Sequence, residues 1–369
     1  MSGEEANRPI QPSLTWNARR DEGWICPPIS GEVSEFHRSL PGYEPTALRE
    51  LPELARQLGV GRVFAKDESS RLGLPAFKAL GASWAIHRAL KETESKLLDD
   101  QITLVCATDG NHGRAVARFA RELGHSSHVF VPDDVHPNAI SAIQGEDAEV
   151  TVVRASYDET VEAAARFAGE SQARLLIQDT AWPGYEQIPT WIVEGYSTLF
   201  SEIDEQLHRH GIERPDLIVV PAGVGSLLQA ALQHYRHDPA LLKTRVMSVE
   251  PVTAASVFAS VSSGERVTIE TGGTAMAGLN CGTVSSLAWP HIATGLDGCV
   301  TVTDSQALGA ARDLAVLGVD AGPCGGASLA AVRVMSNATS TNQALTEDAV
   351  IILLITEGAE ANPRETTSV

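Results

Sequence analysis

Lys78 stands in the stretch PAFKALGASWA (Pro75–Ala85), where no other residue carries a charge. A surface helix scatters its lysines among other charges, yet this one follows alone on the polar run Lys66-Asp67-Glu68-Ser69-Ser70-Arg71. The ordinary reading is a lysine whose stem lies along apolar surface with its head in water. The other is an amine with a task, because lysine is rarely buried without one. At a helix N-terminus, among apolar neighbours, the ammonium is disfavoured and the amine freed. A free amine is the form that condenses with a carbonyl.

Three turns elsewhere carry complementary chemistry. In VVPAGVGSLLQAAL (Val219–Leu232) a β run ends at Gly223-Val224-Gly225-Ser226-Leu227 and a helix begins. Glycines there let backbone N–H groups approach an anion, so the turn reads as a phosphate cradle or as a structural turn. It lacks the third glycine of a dinucleotide fingerprint and the lysine of a P-loop. In CATDGNHGRAVARFA (Cys106–Ala120), Asp109, Gly110 and Asn111 lie between a strand and a helix. Helix capping accounts for one of those polar residues, not for Asp, Asn and His together. In IQDTAWPGYEQIP (Ile177–Pro189), Asp179 sits at another strand end, where an isolated Asp is commonly a turn residue.

Short Val-, Ile- and Leu-rich runs alternate with helical patterns along the chain, which demands crossover connections and a mostly parallel sheet. GRVFAKDE reads as a strand and Ala76 to about Lys91 as a helix. ITLVCAT, SHVFVP, AEVTVV, RLLIQD, DLIVVPAG, RVMSVEP and AVIILLIT read as further strands, with a long helix over IPTWIVEGYSTLFSEIDEQLHRH. Continuous rather than alternating apolar runs imply that both sheet faces are covered. In such sheets ligands bind at the carboxyl ends of strands, where the turns above lie. STNQALTED reads as a surface loop, and the residues before about 45 as an arm wrapped on the body.

A net charge of −19 argues against nucleic acid and against an anionic membrane surface. The first residues, MSGEEANRPIQPSLTWNARRDEG, contain no apolar signal core, and the longest apolar run, DAVIILLIT, has strand length. Cys26, Cys106, Cys281, Cys299 and Cys324 form no CxxC or zinc pattern. Free thiols, no metal and a cytoplasmic location are the expectation.

A reactive lysine together with a distant phosphate cradle is what pyridoxal phosphate requires. The motifs KDESSRLGLPAFKALGASWA, ATDGNHGRAVA, QDTAW, IPTWIVEGYSTL, PAGVGSL, VEP, MAGLNCG and ITEG occur in this order over residues 40–360. Together they resemble the diaminopropionate ammonia-lyase family, pyridoxal-phosphate enzymes of the tryptophan-synthase-β-like (fold type II) group. The resemblance implies an α/β fold of two doubly wound, mostly parallel lobes with the active site between them. Residues 46–105 and 185–369 would form the larger lobe, 106–184 a smaller mobile one, and 1–45 the arm. It implies a homodimer acting on a small amino acid, with pyridoxal 5'-phosphate held by Lys78 as a Schiff base. By the same resemblance Asn111 meets the cofactor's phenolic oxygen, Gly223, Val224, Gly225, Ser226 and Leu227 cradle its phosphate, and Thr356 faces the pyridine nitrogen. Phe77 packs beside the ring or belongs to the core. Asp179 and Asp109 are implied as bases for the L and D substrates, each requiring a raised pKa from burial. One segment departs from the family: VDAGPCGGASLA (Val319–Ala330) places Pro323 and Cys324 where relatives carry glutamate and serine. The implied reaction is elimination from 2,3-diaminopropionate. Alternatives are a serine or threonine dehydratase, another β-substituted-alanine lyase, a β-replacement enzyme, or an inactive binding homologue.

Overall fold

The computed structural model describes residues 11–93, 101–338 and 345–361. Its strands are β1 (Leu14–Trp16), β2 (Leu48–Glu50), β3 (Arg62–Asp67), β4 (Thr103–Ala107), β5 (Ser126–Pro132), β6 (Glu149–Val153), β7 (Arg174–Leu176), β8 (Leu217–Pro221), β9 (Arg245–Pro251), β10 (Gly298–Val302) and β11 (Val350–Ile355). They form a seven-stranded sheet in the order β1-β10-β9-β8-β11-β3-β2 and a four-stranded sheet in the order β6-β5-β4-β7. Only the edge strands β1 and β2 pair antiparallel; every other pairing is parallel. The arm therefore joins the body by adding an edge strand. The part of the arm before residue 11, and most of STNQALTED, lie outside the described residues.

The strand compositions explain the layering. On β11, Ile352 and Leu354 enter one hydrophobic core while Ile351, Leu353 and Ile355 enter another. On β8, Ile218 and Val220 face the first core and Leu217 and Val219 the second. Successive side chains on a strand point to opposite faces, so both faces of the large sheet are buried and covered by helices. The four-stranded sheet carries a smaller cluster of its own around Val105, Ala107 and Phe130. No helix among the described residues is long and apolar enough to cross a membrane. All five cysteines are free and buried.

The lysine helix spans Lys78–Thr93, starting two residues later than its pattern suggested, and crosses the long helix Gln187–Arg209. A Cβ on Gly195 would lie 2.5 Å from Leu80 O, and one on Gly81 would lie 2.5 Å from Tyr196 Cε1. The two helices approach closely only because both positions lack a side chain, and this brings Tyr196 towards Lys78.

The polar run before Lys78 is not a solvated face. Lys66, Glu68 and Arg71 are buried, with Lys66 Nζ donating to Glu202 Oε2 at 2.6 Å and Arg71 bridging Glu202 Oε1 and Glu68 Oε1 at 2.7 Å each. Thr46 and Tyr43 complete the shell around the two carboxylates. Arginine can bond two carboxylates at once, which lets the charges be buried together. Removing one partner strands the others. Glu202→Ala is expected to lower unfolding stability by about 3–5 kcal/mol, seen as a lower urea midpoint.

Candidate active site

Five carboxyl-terminal strand ends supply the side chains that the sequence singled out. β3 leads to Lys78, β4 to Asp109 and Asn111, β7 to Asp179, β8 to the glycine turn and β11 to Thr356. Phe77, Lys78, Asp109, Asn111, Asp179, Gly223, Val224, Gly225, Ser226, Leu227 and Thr356 all line one cleft between the two sheets. Cys324 lines it as well.

Lys78 Nζ donates to Asp179 Oδ2 at 2.5 Å, and the Phe77 ring centre lies 5.5 Å from the same nitrogen. Phe77 is part of the main core and also lines the cleft. Asp179 accepts further from Gln178 Nε2 at 3.3 Å and from the Tyr157 hydroxyl at 3.5 Å. Its carbonyl accepts from Ser226 Oγ at 2.7 Å, tying it to the glycine turn.

Asp109 does not cap the helix that follows it. Thr108 Oγ1 takes the N–H groups of Gly110 and Gly113, at 2.9 and 3.1 Å, which leaves the Asp109 carboxylate to the cleft. Asn111 Nδ2 donates to Glu357 Oε2 at 2.7 Å. The glycine turn places Gly225 at φ 95°, a conformation that L side chains rarely adopt, directly before the helix Ser226–Tyr235. That helix start has no side-chain cap, so its first N–H groups point to the cleft without one.

The charges differ from the expectation in a definite way. Burial disfavours the Lys78 ammonium, but the adjacent Asp179 carboxylate, joined by Tyr196 and Asp109, holds the ammonium well above its usual range. The sequence reading of a freed amine considered only helix dipole and burial; the carboxylate comes from a residue about a hundred positions away. Burial likewise acts to raise Asp179, yet Lys78 brings it down to about 2. Asp109 is pushed up to about 7 by burial, with Lys78 only partly opposing this. Only one of the two carboxylates thus carries the raised pKa expected of both. Burial pushes the thiols of Cys281 and Cys324 well up, so both are protonated near neutrality.

Sequence reasoning missed Tyr157, Cys281 and Glu357 as lining residues. Glu357 and Cys281 lay inside quoted motifs, ITEG and MAGLNCG, whereas Tyr157 opens a helix with no local signal.

Comparison with known proteins agrees with this geometry. Residues 40–357 match the family described as "Pyridoxal-phosphate dependent enzyme". The diaminopropionate ammonia-lyase of Escherichia coli K12 is 33% identical over 349 residues, covering 88% of this chain and 87% of that protein. The corresponding protein of Salmonella typhimurium LT2 is 37% identical over 283 residues, covering 72% and 70%. The E. coli ammonia-lyase solved in complex with an aminoacrylate-PLP azomethine reaction intermediate superposes with a TM-score of 0.85 at 31% identity, covering 95% of this chain and 94% of that one. The same enzyme solved with D-serine gives the same values. With its cleft, its lysine and its full-length similarity in agreement, the chain belongs to the pyridoxal-phosphate dependent enzymes of fold type II, among the diaminopropionate ammonia-lyases.

Proposed function

We propose that the protein catalyses the α,β-elimination of 2,3-diaminopropionate, of L and D configuration, to pyruvate and ammonia. The observation that carries this reading is one lysine flanked by two carboxylates of opposite character, Asp179 bonded to Lys78 and held ionised, Asp109 lining the same cleft and poised near neutrality.

The residues present fit pyridoxal phosphate. Thr356 Oγ1 is buried and has no hydrogen-bond partner among the described residues, as a group awaiting a ring nitrogen would be. A Cβ on Gly223 would lie 2.8 Å from Gly278 O, so the cradle closes if that glycine gains a side chain. When bound, the cofactor supplies an electron sink that acidifies the substrate's Cα proton and lets the β-substituent depart. The chain does the rest. Lys78 holds the cofactor and later shuttles protons. Gly223 to Leu227 bind the phosphate through backbone N–H groups and the positive helix end. Asn111 orients the phenolic oxygen, and the Thr356 hydroxyl meets the ring nitrogen without the charge a carboxylate would bring. Asp179 takes the Cα proton of the L isomer and Asp109 that of the D isomer. The β-amine enters protonated and departs as neutral ammonia; carboxylates in the cleft favour its charged form. The released enamine hydrolyses to pyruvate and a second ammonia.

The same reading makes the enzyme a cytoplasmic homodimer in which residues 106–184 form a smaller lobe that moves against 46–105 and 185–369. The four-stranded sheet, contained within residues 103–176, supports a smaller lobe of its own, with the boundary before Thr103 rather than at 106.

Coupled pyruvate and ammonia assays with both diaminopropionate enantiomers, serine and threonine test the reaction. Two ammonia per pyruvate are expected from diaminopropionate. Rapid turnover of serine or threonine with none of diaminopropionate overturns the assignment. The pH dependence is a second check. Because the base form of Asp109 appears as pH rises through about 7, kcat/KM for the D isomer climbs across that range.

A further inference from the structure

We infer that Glu357 is a positioning residue that fixes the Asn111 side-chain amide across the cleft, leaving its second N–H directed at the cofactor. This rests on the function proposed above. Glu357 directly follows Thr356 at the end of β11 and is buried. Its two oxygens are divided between partners: Oε2 accepts from Asn111 Nδ2 at 2.7 Å and Oε1 from the N–H of Cys324 at 3.3 Å. Its backbone is held from both sides. The carbonyl accepts from the Gly322 N–H at 2.9 Å, and Glu357 pairs with Ala76 in an antiparallel bridge two residues before Lys78.

The seat exists because position 322 has no side chain. A Cβ on Gly322 would stand 2.9 Å from Oε1 and 3.0 Å from Cγ of Glu357. The space at the start of helix Pro323–Asn337 is occupied by the Glu357 carboxylate, which reaches over from the end of β11.

Asn111 begins a helix attached to the four-stranded sheet, whereas Glu357 follows the seven-stranded one, so their bond spans the cleft. An Asn amide has a donor end and an acceptor end, which only its surroundings distinguish. A carboxylate that also accepts a backbone N–H receives the donor end. That fixes nitrogen on the Glu357 side and leaves its other N–H for an acceptor such as the cofactor's phenolic oxygen.

The test titrates apoprotein with pyridoxal phosphate, reading affinity and the absorption maximum of the bound form, for wild type, Glu357→Gln, Asn111→Ala and the double variant. Glu357→Gln keeps the side-chain volume but loses the charge and one acceptor. Each single change is expected to weaken binding by roughly 10-fold or more and to displace the absorption maximum. The double variant should bind no more weakly than the weaker single, because both remove one coupled arrangement. Glu357→Ala should lose up to about 100-fold; should it fail to fold, the Gln series decides alone. Wild-type-like titration and spectrum of Glu357→Gln, or losses that multiply in the double variant, overturn the inference alone. Failure of wild type to bind the cofactor overturns the proposed function with it.

Discussion

Lys78→Ala is expected to retain no cofactor through a borohydride-reducible bond and to lose pyruvate formation by at least about 10²–10⁴-fold. The substitution removes the one amine among the described residues that lines the cleft beside Asp179 and the glycine turn. It also leaves Asp179 buried without its cation. The carboxyl then loses the interaction that held it near 2, burial dominates, and its pKa moves upward. Lys78→Arg separates the two effects. A guanidinium keeps the ion pair and the ionised Asp179 but does not condense with an aldehyde. It should therefore match wild type in thermal stability and match the alanine variant in lacking a reducible adduct. A reducible adduct in either variant, located on a different lysine by peptide mapping, would displace Lys78 from its role.

The second large effect concerns enantiomers. Asp179→Asn is expected to lose mainly activity on L-diaminopropionate, and Asp109→Asn mainly activity on the D isomer. Removing a general base typically costs about 10²–10⁴-fold in rate, so the D/L ratio of kcat/KM should move by a comparable factor, in opposite directions for the two variants. Purely structural roles predict a loss of stability with equal effects on both isomers. The two sites differ in their surroundings. Asp179 is tied to Lys78, Gln178, Tyr157 and Ser226, so its amide variant also weakens the pair that holds the lysine. Asp109 has its capping task performed by Thr108, and Asn111 takes its hold from Glu357. Its substitution therefore leaves the cofactor contacts standing, and the D/L ratio is the cleaner readout there. Ratios that stay at the wild-type value with cofactor bound sink the two-base mechanism.

How much of this was legible in the residues depends on the range of the interaction. Local patterning located β3, β5, β11 and the long helix Gln187–Arg209 within a residue or two of their bounds. It placed Asp179 on a strand, whereas β7 ends at Leu176 and the aspartate lies beyond it. Antiparallel edge strands β1 and β2, three residues each, are too short for periodicity to register. Lys66, Glu68 and Arg71 were legible only as a polar run, because their compensating carboxylate, Glu202, is far away in sequence.

By itself the sequence determined the strand–turn–helix order, the continuous apolar strands that bury both faces of the sheet, and which turns hold chemistry-bearing residues. These follow from local properties: side-chain periodicity, glycine at a left-handed turn, an unpaired charge in an apolar segment. Only the tertiary structure decided how those residues act on one another. It set Asp179 2.5 Å from Lys78, reversing the expected direction for the amine and separating the two aspartates, one held near 2 and the other raised to about 7. It also set Glu357 against Asn111. Coulombic and hydrogen-bond energies depend on distances between groups far apart in the chain, and those distances exist only once both sheets are packed around the cleft.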